Sequence, residues 1–257
     1  MKYPLLTLAA VGVVAAGALT ARNLTTPAHA APASAATRTP VIVELFTSEG
    51  CSSCPPADAS LSRLESQTVG GADVIALGEH VDYWNRGGWS DPFSAHKFSA
   101  RQSDYSRAFG LDNVYTPQMV VDGKAQFVGG DDDEARAAIA RAARQPKADV
   151  SVTRAAGSDT LSVRVDHLPA SAKSDPADVV LAITEDGLSS SVGGGENAGR
   201  HLEHAAVVRQ LTVIGTTSGS AFTASPTVGA GKGRRHAVVF VQERESRRIV
   251  GAAQADL

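Results

Sequence analysis

Val41-Ile42-Val43-Glu44-Leu45-Phe46-Thr47-Ser48-Glu49-Gly50-Cys51-Ser52-Ser53-Cys54-Pro55-Pro56 is the stretch on which the reading of this chain turns. It passes from an apolar, β-branched run into a C-x-x-C and then into two prolines. Val41 to Leu45 reads as a strand. Ala57 to Leu64 carries Leu61 and Leu64 at helical spacing and reads as a helix, with Pro55 and Pro56 in its first turn, where a missing N–H costs little. Cys51 and Cys54 are the only 2 cysteines among 257 residues. The loop they close is too short for a strong entropic effect on the unfolded chain. Thiol–disulfide chemistry explains a strand–CxxC–helix better than stapling does.

The thiolate is the reactive form of cysteine, and a helix N-terminus favours it through unpaired N–H groups and the positive end of the dipole. That assigns Cys51 as nucleophile. Cys54, further into the helix, becomes the resolving thiol that clears a mixed disulfide. Ser52 and Ser53, between them, fall to the substrate-contact set. Glu44, on the strand entering the site, is a candidate proton relay for Cys54; the alternative is a solvated acid at a strand end. Glu49 lies closer in sequence, and near the thiolate it would raise the pKa of Cys51.

Working outward, Val74 to Leu77 reads as a short buried strand. Ser94 to Phe109 reads as a helix with Phe98, Tyr105 and Phe109 on one face, closed by Gly110. Val114 to Val121 contains Pro117, Asp122-Gly123 is a hairpin turn, and Ala125 to Val128 is the return strand. Asp131-Asp132-Asp133-Glu134 opens a helix ending near Gln145, with acids at its positive end. The order predicts an α/β fold over residues 38–147, a thioredoxin-like central sheet with flanking helices. Pro146-Lys147 marks a boundary. Ala148 to Thr153, Thr160 to Val165, Val179 to Thr184, Ala205 to Ile214 and Ala237 to Gln242 are strand-like, so residues 148–257 are expected to form a smaller, mostly β, sandwich-like domain.

In that layout Pro117 stands beside the CxxC loop. A cis Thr116–Pro117 bond would turn the Thr116 backbone toward Cys51, ready to pair with a bound chain; the alternative is a trans proline before an edge strand. Tyr83, Trp84 and Trp89 lie in a loop expected at the same sheet edge. They are candidate substrate contacts, or else they fill the junction with the β domain. His80 with Asp82 is an acid/base pair, the start of a metal site, or a structural hydrogen bond.

Lys2, the apolar Leu5 to Leu19 and Ala28-His29-Ala30 predict a signal peptide over residues 1–30, followed by a flexible leader over 31–37; an uncleaved anchor is the alternative. Removing Lys2 and Arg22 leaves 22 of the 24 basic residues against 27 acidic, a formal charge of about −5. Such a surface attracts neither nucleic acid nor anionic lipid. The chain is expected to be exported, to the periplasm or outside the cell, where a disulfide persists. No stable membrane insertion is expected once the signal is removed.

No cofactor or metal site is assigned. The acidic run 131–134 is not spaced like a calcium loop. Gly193-Gly194-Gly195-Glu196-Asn197 does not join a strand to a helix and reads as a flexible β-loop, and Gly229 to Gly233 fails the Walker pattern. The partners implied are protein or small-molecule thiols and disulfides.

Taken as long strings, these motifs resemble a known family. Glu44 to Asp58, Val81-Asp82-Tyr83-Trp84 with Trp89-Ser90-Asp91-Pro92-Phe93, and Tyr115-Thr116-Pro117-Gln118 are similar to the exported thioredoxin-like proteins catalogued as domain of unknown function 1223. Gly195-Glu196-Asn197 with Leu202, His204 and Val207-Val208-Arg209 adds a weaker match. The resemblance implies export and a thioredoxin-like fold, and it settles no reaction. The functional expectation is a thiol–disulfide oxidoreductase. The alternatives are a secreted binding module with a structural disulfide, and a soft-metal (copper) handling protein using Cys51, Cys54 and His80.

Overall fold

The structure, a computed structural model, describes Met1, Pro4 and residues 38–257. The expected signal peptide and leader, Met1 and Pro4 apart, lie outside the described residues. Thirteen strands are described: β1 Thr39–Thr47, β2 Ala72–His80, β3 Gln118–Val121, β4 Ala125–Val128, β5 Asp149–Arg154, β6 Leu161–Asp166, β7 Ala177–Glu185, β8 Leu188–Ser191, β9 His201–His204, β10 Val207–Thr217, β11 Phe222–Ala224, β12 Arg235–Glu243 and β13 Ile249–Asp256. Among the described residues the α-helices are α1 Pro55–Ser66, α2 His96–Phe109 and α3 Asp132–Ala142.

Eight strands form one mixed sheet in the order β13-β12-β7-β10-β2-β1-β3-β4. β1 and β2 run parallel, β10 joins β2 in parallel, and the remaining pairings are antiparallel. β11-β6-β5 make a second sheet, and β8-β9 a hairpin.

This corrects the expected fold class. The protein is mostly β and is not a thioredoxin-like, helix-flanked α/β sheet. Four strands of the main sheet come from beyond residue 147, and Arg38–Leu257 forms one compact unit. The physical reason lies at Gly78. A strand ending at Leu77 leaves β2 as a sheet edge. Instead β2 runs on, and Gly78 donates its N–H to Ala206 O at 2.8 Å. A Cβ at residue 78 would stand 3.3 Å from Ala205 O and 3.4 Å from Ala206 O, so only a glycine leaves this approach unhindered.

The packing follows strand parity. Val41, Val43 and Leu45 face α1 and α3 in one core. Ile42 faces the other way, in a core with Phe98 of α2 that continues through Val180, Val208, Phe240 and Ile249. That core joins the two halves of the sheet. A third core lies between β7, β12 and the three-stranded sheet. The Asp122–Gly123 turn is as expected, with both residues at positive φ (48° and 61°), and Gly110 closes α2 at φ 66°.

Candidate functional site

The CxxC loop is built where β1 ends. Cys51 N–H donates to Ser48 O, and Cys54 N–H donates to Cys51 O, both at 3.2 Å. Cys54 is the N-cap residue of α1, with Pro55 and Pro56 in the first turn. Cys51 and Cys54 form a disulfide with their Cα atoms 5.4 Å apart. Both cysteines are buried, at 1% and 0% exposure, while Ser52 and Ser53 are exposed. The Ser53 hydroxyl lies 3.3 Å from Cys51 Sγ.

Trp84 connects this loop to the Thr116–Pro117 bond, which is cis. Its indole N–H donates to Thr116 Oγ1 at 2.7 Å. A Cβ at Gly50 would stand 3.1 Å from Trp84 Cβ, so the side chain packs directly on the loop. Pro117 and Ala57 of α1 both pack around Gly129, where a Cβ would stand 3.0 Å from one and 3.1 Å from the other. Tyr83 is partly exposed and donates to Gln102 Oε1 at 3.1 Å. Burial pushes its pKa up to about 12.

Behind the loop lies a buried group of acids and histidines. Glu49 is fully buried, and its carboxylate accepts from Trp89 Nε1 at 2.8 Å, from His204 Nε2 at 3.0 Å and from Ser190 Oγ. Burial works to raise its pKa. The three hydrogen bonds outweigh burial and hold it below the usual carboxylate value. The carboxylate is therefore committed to these three donors, not to Cys51. Glu49 N–H donates to Asp91 Oδ2 at 2.9 Å, and the same oxygen lies 2.8 Å from His80 Nδ1. The His80 and His204 rings meet edge to face at 4.7 Å. The predicted His80–Asp82 pair is thus replaced by His80–Asp91; Asp82 accepts from Ser99 instead.

Glu44 is not brought to the cysteines. It sits on the α2 side of β1, where Arg101 Nε donates to it at 2.6 Å and Tyr105 OH at 2.5 Å. The two-residue alternation of a strand puts it with Ile42 and Phe46, opposite the face that α1 covers.

Sequence reasoning set aside the segment that covers the site. Ser52 donates to Glu196 Oε2 through both its N–H, at 2.9 Å, and its hydroxyl, at 2.7 Å. Asn197, 1% exposed, donates from its side-chain amide to Glu49 O and to Cys51 O. The glycines before them permit close approach. A Cβ at Gly194 would stand 2.3 Å from Gly88 O, and one at Gly193 would stand 3.1 Å from the Trp89 ring. The trace of this in the sequence is a glycine run ending in two polar residues, which alone reads as a loop.

Among the described residues no group of three or more His, Cys, Asp or Glu is arranged to hold a metal ion, and no helix is long and apolar enough to cross a membrane.

The sequence profile of a protein family of unknown function, DUF1223, matches residues 42–242, and the chain belongs to that family. A crystal structure of an Agrobacterium tumefaciens protein is similar over 84% of this chain and 94% of its own, with 28% identity and a TM-score of 0.67. The chicken interferon gamma receptor alpha chain overlaps 55% of this chain and 57% of its own, with 8% identity and a TM-score of 0.25. No curated protein matches the chain.

Proposed function

We propose that the protein is an exported thiol–disulfide oxidoreductase that uses Cys51 as nucleophile and Cys54 as resolving thiol. The observation that carries this reading is the position of the disulfide at the N-terminus of α1, with Trp84 linking its loop to Thr116. A helix N-terminus stabilises the thiolate that both attack and release require. The substrates are protein or small-molecule thiols and disulfides. Ser52, Ser53, Tyr83, Trp84 and Trp89 are the proposed substrate contacts, and export is the proposed compartment in which the pair cycles.

The test is to trap mixed disulfides with single-cysteine variants. Cys54→Ser should accumulate Cys51-linked adducts in extracts, and Cys51→Ser should accumulate none. Equal behaviour of the two variants removes the catalytic assignment.

A second reading rests on a specific observation, the burial of both sulfurs under Glu196 and Asn197. In it the disulfide is a fixed brace in a binding module. A reduction potential well below about −300 mV favours this reading over the first.

A further inference from the structure

Thiol exchange at a buried pair needs a group to take the proton from the resolving thiol. Among the acids near the CxxC, Glu196 is exposed and accepts from Ser52 on the outside of the loop. Glu44 is held by Arg101 and Tyr105 on the other face of the sheet, and the Glu49 carboxylate is filled by three donors. Asp58 is different. It stands four residues after Cys54 on α1, a spacing that places two side chains one above the other on a helix face. Its backbone N–H donates to Cys54 O at 3.1 Å. The donor that faces its carboxyl is the Thr47 hydroxyl.

The surroundings of Asp58 are unusual in a second, independent way. Thr47 Oγ1 and His204 Nδ1 are both buried and have no hydrogen-bond partner. His204 spends its other nitrogen on Glu49, and His80 spends Nδ1 on Asp91. Asp58 and His204 together line a groove of about 750 Å³ between α1 and the β8–β9 hairpin, which also takes in Pro55 and Leu188. Arg63, His201 and Glu203 are the other charged or titratable groups that line it. Burial raises the Asp58 pKa. His80, His204 and the Thr47 hydroxyl oppose the rise and Asp91 adds to it, and the net result lies above the usual aspartate value. A carboxyl so displaced is better matched to thiol chemistry near neutral pH.

We infer that Asp58 accepts the proton of the Cys54 thiol during exchange and returns it in the reverse direction, with the α1–hairpin groove as its route to solvent. The inference rests on the oxidoreductase reading above. In the dithiol protein, the Cys51 thiolate attacks a substrate disulfide, forming a mixed disulfide and releasing one substrate thiolate. The Cys54 proton passes to Asp58. The Cys54 thiolate attacks Cys51 Sγ, the bond from Cys51 to the substrate sulfur breaks, and the electron pair leaves with the second substrate thiolate. The substrate disulfide is reduced to two thiols, and the Cys51–Cys54 pair is oxidised to the disulfide. The two substrate thiolates take up protons from the Asp58 carboxyl and from water.

The experiment is single-turnover reaction of the reduced chain with glutathione disulfide, following formation and then resolution of the adduct on Cys51. Asp58→Asn should leave the first phase unchanged and slow the second on the order of 100-fold. In a Cys51→Ser background, Asp58→Asn should also lower the Cys54 pKa, read from the pH dependence of alkylation, by roughly one unit, because a neighbouring negative charge is removed. A measurement without substitution at residue 58 guards against misfolding. The Asp58 carboxyl, followed by carbon NMR, should titrate at different pH in the disulfide and dithiol forms, since coupling is reciprocal. Normal resolution in Asp58→Asn, with an unmoved Cys54 pKa and identical Asp58 titration in both forms, overturns the inference and leaves the oxidoreductase reading intact. Failure of the unsubstituted chain to form any adduct on Cys51 overturns the oxidoreductase reading, and the inference falls with it.

Discussion

Asn197 donates its side-chain amide to the carbonyl of Cys51 at 2.9 Å, across 146 residues of chain. The same nitrogen serves Glu49 O at 2.8 Å. One buried amide therefore fastens the CxxC loop to the β8–β9 region. Asn197→Ala leaves two carbonyls without their donor, and an unsatisfied buried polar group costs about 1–3 kcal/mol. Asn197→Asp should be worse, because a carboxylate brings only acceptors to two acceptors. Urea unfolding of the oxidised protein checks both. Unchanged midpoints would show that the loop does not depend on this contact.

Glu196 makes the outer half of the same clasp, and it is exposed. The hydrogen bonds from the Ser52 hydroxyl and backbone N–H hold its pKa below the usual glutamate value. The sign follows: the contact is complete above the ordinary glutamate range and is lost as pH falls through the depressed value. Glu196→Ala should therefore speed reduction of the disulfide by a small neutral phosphine several-fold at pH 7, with little change in thermal midpoint. In the unsubstituted protein the rate should climb toward the variant's as the solution is acidified. A rate insensitive both to the substitution and to acid would show that Glu196 does not control access.

The buried His80–Asp91 pair sets a pH window for stability. Burial works to lower the His80 pKa, but the Asp91 hydrogen bond and charge raise it above the ordinary value. Burial works to raise the Asp91 pKa, but the His80 hydrogen bond and charge and the backbone donors lower it. The raised histidine contributes fully below about pH 6.5 and loses its contribution as pH rises through its folded value. The depressed aspartate contributes fully above about pH 3.9 and loses it as pH falls through its own folded value. Stability relative to His80→Gln should be greatest between these limits and should shrink above neutrality. Asp91→Asn, which strands His80, should cost about 3–5 kcal/mol near pH 5. Urea midpoints measured from acid to alkaline pH decide the matter, and a flat difference curve would refute it.

How far the sequence carries is seen at particular residues. The CxxC at a strand–helix junction and the Asp122–Gly123 turn are legible because each is set by local chemistry: a helix start, and two residues at positive φ. The extent of the sheet is not. Only Gly78 hints that β2 accepts another strand, and a lone glycine in an apolar run does not name its partner, which lies near residue 206. Glu196 and Asn197 are illegible for the same reason. Their hydrogen bonds reach back more than 140 residues, and a glycine run alone reads as a loop. Glu44 shows the limit of proximity in sequence: alternation along β1 turned it away from the cysteines and toward Arg101.

Arg101 supplies the last prediction. It is 6% exposed and donates to Glu44 at 2.6 Å, to Gln242 Oε1 at 2.8 Å and to Tyr105 OH at 3.0 Å, with Glu79 Oε1 3.3 Å away. Burial, followed by the Glu44 charge, holds the Glu79 pKa well above the usual value, and Glu44 is the carboxylate that the guanidinium contacts most closely. These side chains come from β1, β2, α2 and β12, so the network spans both halves of the sheet. Arg101→Met strands the Glu44 carboxylate and should cost about 3–5 kcal/mol. Adding Glu44→Gln should recover part of that loss, because removing both members of a buried pair is far cheaper than removing one. A double-mutant cycle by urea unfolding measures the recovery, and simple additivity would refute the pairing. Glu44→Gln alone should leave the alkylation rates of both cysteines in the reduced protein unchanged. A slowed Cys54 would return Glu44 to the role of proton relay and count against Asp58.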